Sequence, residues 1–197
     1  MKKLIFATGN EGKMKEIRMI LGDLDYEILS MKEAVLQADI DENATTFEEN
    51  ALLKASAACR ETGYPAFADD SGLCVDALGG APGIYSARYA GEHGNDEANN
   101  KKLLENRKGI ENRHAAFVCS IACVFPDGSE PIIAEGKVEG EILEAPRGES
   151  GFGYDPLFEY ETGKTFAEMT ADEKNKVSHR ARAIEKFAKA LTERLAQ

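Results

Sequence analysis

Apolar residues along this chain alternate between strand-like runs and helix-like spacings. Lys3 to Ala7 and Tyr26 to Leu29 are short apolar runs of strand type. Between them Met14, Ile17, Ile20 and Leu21 fall at helical spacing and predict a helix over Glu11–Leu21. Thr46-Phe47-Glu48-Glu49 has the form of a capping box, opening a helix that runs to about Arg60 and stops at Gly63. Pro65 to Asp69 reads as a strand and Leu73 to Ala77 as a further candidate. Gly79 to Gly91 is loop-like, and Asn95 to Asn106 is a polar helix. Arg113 to Phe125 is a long apolar strand. Pro126-Asp127-Gly128 turns it, and Pro131 to Leu143 returns as its antiparallel partner. Gly148 to Asp155 is a glycine-rich loop, and Thr170 to Glu173 is a second capping box. The helical region after it reaches Leu195, with Val177, Ala181, Ile184, Ala188, Leu191 and Leu195 as one expected buried stripe.

Helices alternate with strands early and a hairpin comes late, which predicts an α/β fold around a mixed sheet. No repeat or linker interrupts the 197 residues, so one domain of two lobes is expected over 1–197. No apolar run reaches membrane-spanning length, and the one after Met1 stops at Thr8, too short for a signal sequence. A cytoplasmic protein with no membrane partner is the expectation. The formal charge of −11 disfavours a nucleic-acid partner; a small anion would need converging bases or a screening metal. Cys59, Cys74, Cys119 and Cys123 form no CxxC pair, so they read as reduced core residues.

Five segments have the residue types that phosphate and purine chemistry needs. Thr8-Gly9-Asn10-Glu11-Gly12-Lys13 joins the first strand to the first helix. Free N–H groups at a helix start, two glycines and a lysine suit a phosphate, though a plain βα turn looks the same and no Walker A pattern is present. Ala68-Asp69-Asp70-Ser71-Gly72 sets two carboxylates in a glycine-flanked turn or strand end. Neighbouring strand residues face opposite ways, so one acid alone should enter a given pocket. It would hold Mg²⁺ and take a proton from water, with Ser71 donating to a phosphate; otherwise this is a local Asp-Ser-Gly turn.

Lys54 lies on the helix face of Phe47, Ala51 and Ala58 and needs either a counter-charge or a path to water. Phe152-Gly153-Tyr154-Asp155 puts aromatics and an acid on a pliant loop, able to sandwich a planar ring or to tuck into the core. Lys174 to Arg180 is the densest basic run. On one unbroken helix Lys174 and Arg180 would flank the buried stripe, with His179 pointing nearly opposite. If all three serve one ligand, the helix must break near Val177, with Ser178 capping the new segment. In the acidic run from Asp39, Asp41 or Glu42 is the second candidate metal ligand beside Asp70. His93 and His114 have no supporting pattern.

TGNEGK, TFEENALLKA, FADDSGLCVDALGGAPGIYSARYAG, GFGYDPLF and EMTADEKNKVSHRARA stand in that order along nearly the whole chain. The set resembles the inosine triphosphate pyrophosphatase family, and within it the bacterial dITP/XTP pyrophosphatases. The resemblance implies an elongated α/β fold with a long twisted mixed sheet, a cleft between two lobes, Mg²⁺ and a homodimer. It implies hydrolysis of inosine- and xanthosine-type triphosphates to monophosphate and pyrophosphate. On this sequence it puts the triphosphate at Thr8–Lys13 and Lys54. Asp70 becomes proton acceptor and metal ligand, and Ser71 a substrate contact. Phe152 to Asp155, Lys174, His179 and Arg180 surround the base. The alternatives are a Maf-type house-cleaning pyrophosphatase and a nucleotide-binding regulator without catalysis.

Overall fold

The computed structural model describes residues 2–36 and 40–196. Its strands are β1 (Lys2–Phe6), β2 (Tyr26–Ser30), β3 (Ala66–Val75), β4 (His114–Val124), β5 (Ile132–Ile142) and β6 (Phe158–Glu159). Its helices are α1 (Glu11–Leu21), α2 (Phe47–Thr62), α3 (Asp96–Arg107), α4 (Ala171–Val177) and α5 (His179–Leu195). The strands form one six-stranded sheet in the order β2-β1-β3-β4-β5-β6. β1 runs parallel to both β2 and β3, whereas β6 is antiparallel to β5. This is the mixed α/β class that the alternation of periods predicts. Among the described residues no helix is long and apolar enough to cross a membrane.

Two compact units divide the chain, with boundaries that fall inside β3, β4, β5 and α5. The first holds residues up to Asp70, then Cys119–Gly136 and Arg182–Gln197. In it Phe67 stacks on Phe6 at 4.5 Å and meets Phe187 at 5.0 Å, surrounded by Met14, Ile17 and Leu21 of α1. Ala66 and Ala68 point the other way, against Ala55 and Ala58 of α2. The second unit holds Ser71–Val118 and Lys137–Ala181. Phe117, Phe158 and Phe166 pack there with centroids 4.6 to 5.7 Å apart. All four cysteines are free thiols, and three are buried; burial pushes the Cys123 thiol up to about 12.

Local structure departs from the sequence reading in four places. β3 is continuous, so Asp69-Asp70-Ser71-Gly72 is strand rather than turn; sheet pairing overrides the turn preference of those residue types. At α2 only half of the predicted capping box forms. Thr46 accepts from the Glu49 N–H, but the Glu49 carboxylate takes the N–H and hydroxyl of Thr45 instead. The box at Thr170 and Glu173 is complete. The final helical region is two helices, and Ser178, extended at its junction, accepts from the Ala181 N–H. With the phase reset there, the core takes Ala183, Ile184, Phe187 and Leu191, while Leu195 is exposed rather than buried.

Candidate active site

Within the first unit, β3 sorts its two acids by the alternation of strand side chains. Asp69 follows Phe67 by two positions and shares its face. It is buried and receives both oxygen contacts from Lys13 Nζ, at 2.9 and 3.0 Å. Asp70 lies on the α2 face. Lys54 approaches its Oδ1 at 3.8 Å, reaches Glu42 at 3.4 Å and donates to the Asp69 carbonyl at 2.6 Å. Lys54, 15% exposed, therefore has counter-charges rather than a route to water. Of the two acids left open by the sequence, Glu42 is in this group, whereas Asp41 is exposed. Asp39 lies outside the described residues.

The Oδ2 of Asp70 is buried with no hydrogen-bond partner. Burial pushes the carboxyl up to about 6 from 3.8, while Lys54 and the Asn50 side chain oppose the rise and Glu42 adds to it. Asn50 is buried one helical turn before Lys54, so both face Asp70; sequence reasoning singled out the lysine alone. A polar residue four positions before a lysine, in an otherwise Ala-rich stretch, was the available signal.

The βα loop supplies the phosphate-type geometry, with one difference from expectation. Asn10 caps α1 by accepting from the Lys13 N–H, and Thr8 Oγ1 accepts from the Asn10 N–H. A methyl on Gly12 would lie 3.1 Å from Asn10 Oδ1, whereas one on Gly9 would meet nothing within 4 Å. Space beside the Gly9 backbone is thus open. Glu11 opens α1. A cavity of about 850 Å³ is bordered by Thr8, Gly9, Asn10, Glu11, Lys15 and Arg18, among others, while Lys13 turns to Asp69.

In the second unit the glycine-rich loop and the α4–α5 junction come together. Asp155 is 3% exposed, accepts from the Phe152 N–H at 3.1 Å and from Lys174 Nζ at 2.5 Å. Its burial pushes the carboxyl up, opposed by Lys174. Gly151, at φ +79°, makes this possible: a methyl there would lie 2.2 Å from Asp155 Oδ2. Phe152 is 60% exposed, with Lys174 Nζ 4.6 Å and the Arg180 guanidinium 5.8 Å from its ring centre. Tyr154 takes the other course. It is 4% exposed, and its hydroxyl donates to the Ser86 carbonyl at 2.6 Å, so one aromatic of the pair faces out and the other belongs to the core. Burial raises its phenol above the ordinary value.

His179 stacks on Phe117 at 4.9 Å and is buried, as is Arg180. Across the break at Ser178, Lys174 and Arg180 both reach the Phe152 ring, whereas His179 lies against Phe117. Ser71 is half-buried in β3. Ser86, which the sequence did not single out, accepts from the Leu73 N–H at 2.9 Å and ties the Gly83–Arg88 turn to β3.

The two groups of residues suit two kinds of chemistry. A desolvated acid with a free oxygen beside a lysine suits cation binding and proton transfer. An exposed ring beside cations and a hydrogen-bonded acid suits a planar heterocycle. Known proteins align with the chain across both groups. The dITP/XTP pyrophosphatase of Clostridium perfringens is 55% identical over 198 residues, covering 95% of this chain and 96% of that protein. The protein of the same name from Bacillus subtilis is 51% identical, covering 97% and 98%. The solved Ham1 protein of Staphylococcus aureus superposes with a TM-score of 0.92 at 42% identity, covering 98% of this chain and all of that one. The Ham1 family model matches residues 4–190, and with these relatives it establishes that the chain belongs to the Ham1 family.

Proposed function

We propose that this protein hydrolyses non-standard purine nucleoside triphosphates, the inosine and xanthosine types in ribo or deoxy form, to the monophosphate and pyrophosphate. The observation that carries this reading is the Asp70 carboxyl, buried, pushed up to about 6 and holding one oxygen without a partner. A carboxylate placed there with one oxygen free can take a proton from water. Water attacks the α-phosphorus as its proton passes to Asp70. The new P–O bond replaces the bond to the bridging α–β oxygen, and pyrophosphate leaves with that oxygen. Lys54, between Asp70 and Glu42, lies where it can hold a phosphate oxygen. The relatives' shared name, dITP/XTP pyrophosphatase, supports this reading over the Maf-type and non-catalytic alternatives.

The unpartnered oxygen and the second carboxylate fit Mg²⁺, which takes one or two protein carboxylates and fills its shell with phosphate and water oxygens. Asp70 and Glu42 would hold it, and when bound it would supply neutralisation of phosphate charge.

Phe152 offers its face to the base, and Asp155 with Lys174 sets acceptor and donor beside it. Arg180 or His179 donates to the 6-keto oxygen. Adenine has an amino donor at that position and would leave a buried donor unsatisfied. A homodimer, checked by sedimentation, and work in the nucleotide pool of the cytoplasm belong to the same proposal. Pyrophosphate release from inosine, xanthosine, adenosine and guanosine triphosphates tests the activity. Inosine and xanthosine should dominate, and chelation should abolish release until Mg²⁺ is restored. Equal rates on all four, or release of orthophosphate, would refute the proposal.

A further inference from the structure

The loop that presents Phe152 is held by a helix with no part in the chemistry above. Asp96 and Asn100 are one turn apart on α3, so they share a face. Both reach the backbone of one residue, Gly153. The Gly153 N–H donates to Asp96 Oδ2 at 2.7 Å, and Asn100 Nδ2 donates to the Gly153 carbonyl at 3.0 Å. Asp96 does not cap its own helix; Asn95 does so, accepting from the Ala98 N–H. The Asp96 carboxylate is thus committed to the loop.

The position matters because of what flanks it. Gly151 and Gly153 both have positive φ, the most permissive kind of backbone. Tyr154 is fixed by its own burial and by Ser86, but Phe152 is mostly exposed and gains little from packing. Its ring direction is therefore set by the peptides on either side. The peptide before Gly153 presents its N–H to Asp96, and the one after it presents its carbonyl to Asn100.

We propose that Asp96 and Asn100 are positioning residues for purine recognition: they lock the backbone on both sides of Gly153 so that Phe152 is held in its ring-binding direction before substrate arrives. The inference rests on the base-binding reading of Phe152 given above. Locking a loop in its bound form lowers the ordering cost that binding must otherwise meet. Loss of one such hydrogen bond, with a charged or amide partner, corresponds to about a tenfold change in affinity.

Asp96→Ala and Asn100→Ala are each expected to raise KM for inosine triphosphate about tenfold, with kcat within about threefold of the parent. Pyrophosphate carries no base, so its inhibition constant should stay within about twofold. Asp96→Asn keeps an oxygen for the Gly153 N–H and should recover most of the lost affinity. The effects of the two alanine variants should combine to less than their product, because both act on one loop. An unchanged KM in both alanine variants overturns the proposal. So does a parallel rise in the pyrophosphate constant, which a general structural defect would produce. Parent enzyme that releases no pyrophosphate from inosine triphosphate overturns the functional reading itself; active parent with unaffected variants overturns the positioning role alone.

Discussion

Replacing Asp70 by Asn should stabilise the metal-free protein while removing most of its activity. The carboxyl stands at about 6 in the folded chain against 3.8 in the free side chain. A carboxyl raised in this way binds its proton more tightly when folded, so the fold is penalised wherever the unfolded chain has already ionised. No penalty exists below about pH 3.8; it grows from there to about pH 6 and is complete above. Roughly two pK units correspond to about 3 kcal/mol. The neutral amide of Asn escapes that cost, and for a domain of this size the gain amounts to about 6 to 12 °C in Tm. The assay is thermal unfolding of both proteins with chelator present, at pH 7.5 and near pH 4. Asn should raise Tm at the higher pH and leave it nearly unchanged at the lower. Pyrophosphate release should fall by about 10²- to 10⁴-fold, the usual worth of a general base. A Tm difference of equal size at both pH values, or a variant less stable than the parent at pH 7.5, would refute the account of a desolvated acid. Near-normal turnover would refute its role as the proton acceptor.

Three further substitutions probe the other elements. Lys174→Met leaves the Asp155 carboxylate buried without its cation and should cost about 3 kcal/mol at pH 8 by denaturant unfolding. Because Lys174 opposes the upward shift of Asp155, its removal raises that carboxyl further, so the cost should shrink as pH falls and the acid protonates. Gly151→Ala combines a left-handed φ with contact against Asp155; a loss of about 1–3 kcal/mol and a raised KM for inosine triphosphate are expected in melting and steady-state assays. Phe187→Ala opens a cavity beside Phe67 and should cost about 3–5 kcal/mol in urea titration.

Much of this arrangement is legible in the sequence, and the misses have physical causes. The α2 helix and its glycine stop follow from local rules, since Gly63 takes the left-handed conformation such a stop needs. A break near Val177 is legible only on the condition that Lys174, His179 and Arg180 serve one ligand; the structure has the break, with Ser178 extended and accepting from the Ala181 N–H. The stripe drawn through Val177 to Leu195 ignored that break and so placed Leu195 in the core. Continuity of β3 through Asp69 to Gly72 was hidden because Asp, Ser and Gly favour turns, and only pairing with neighbouring strands overrides them. β6 is two residues long, too short to show any period. The partnership of Lys13 with Asp69 spans 56 positions and leaves no local trace.

Asp69 and Asp70 are chemically the same residue, and only their order along β3 tells them apart. A slip of one position would exchange them, handing the lysine-tied acid to the α2 side and the desolvated one to α1. What forbids the exchange is aromatic: Phe67, wedged between Phe6 and Phe187, has no room on the alanine-lined face where Ala66 and Ala68 sit. Three phenyl rings of the core therefore decide which of two identical carboxyls meets Lys54 on the α2 side and which is tied to Lys13.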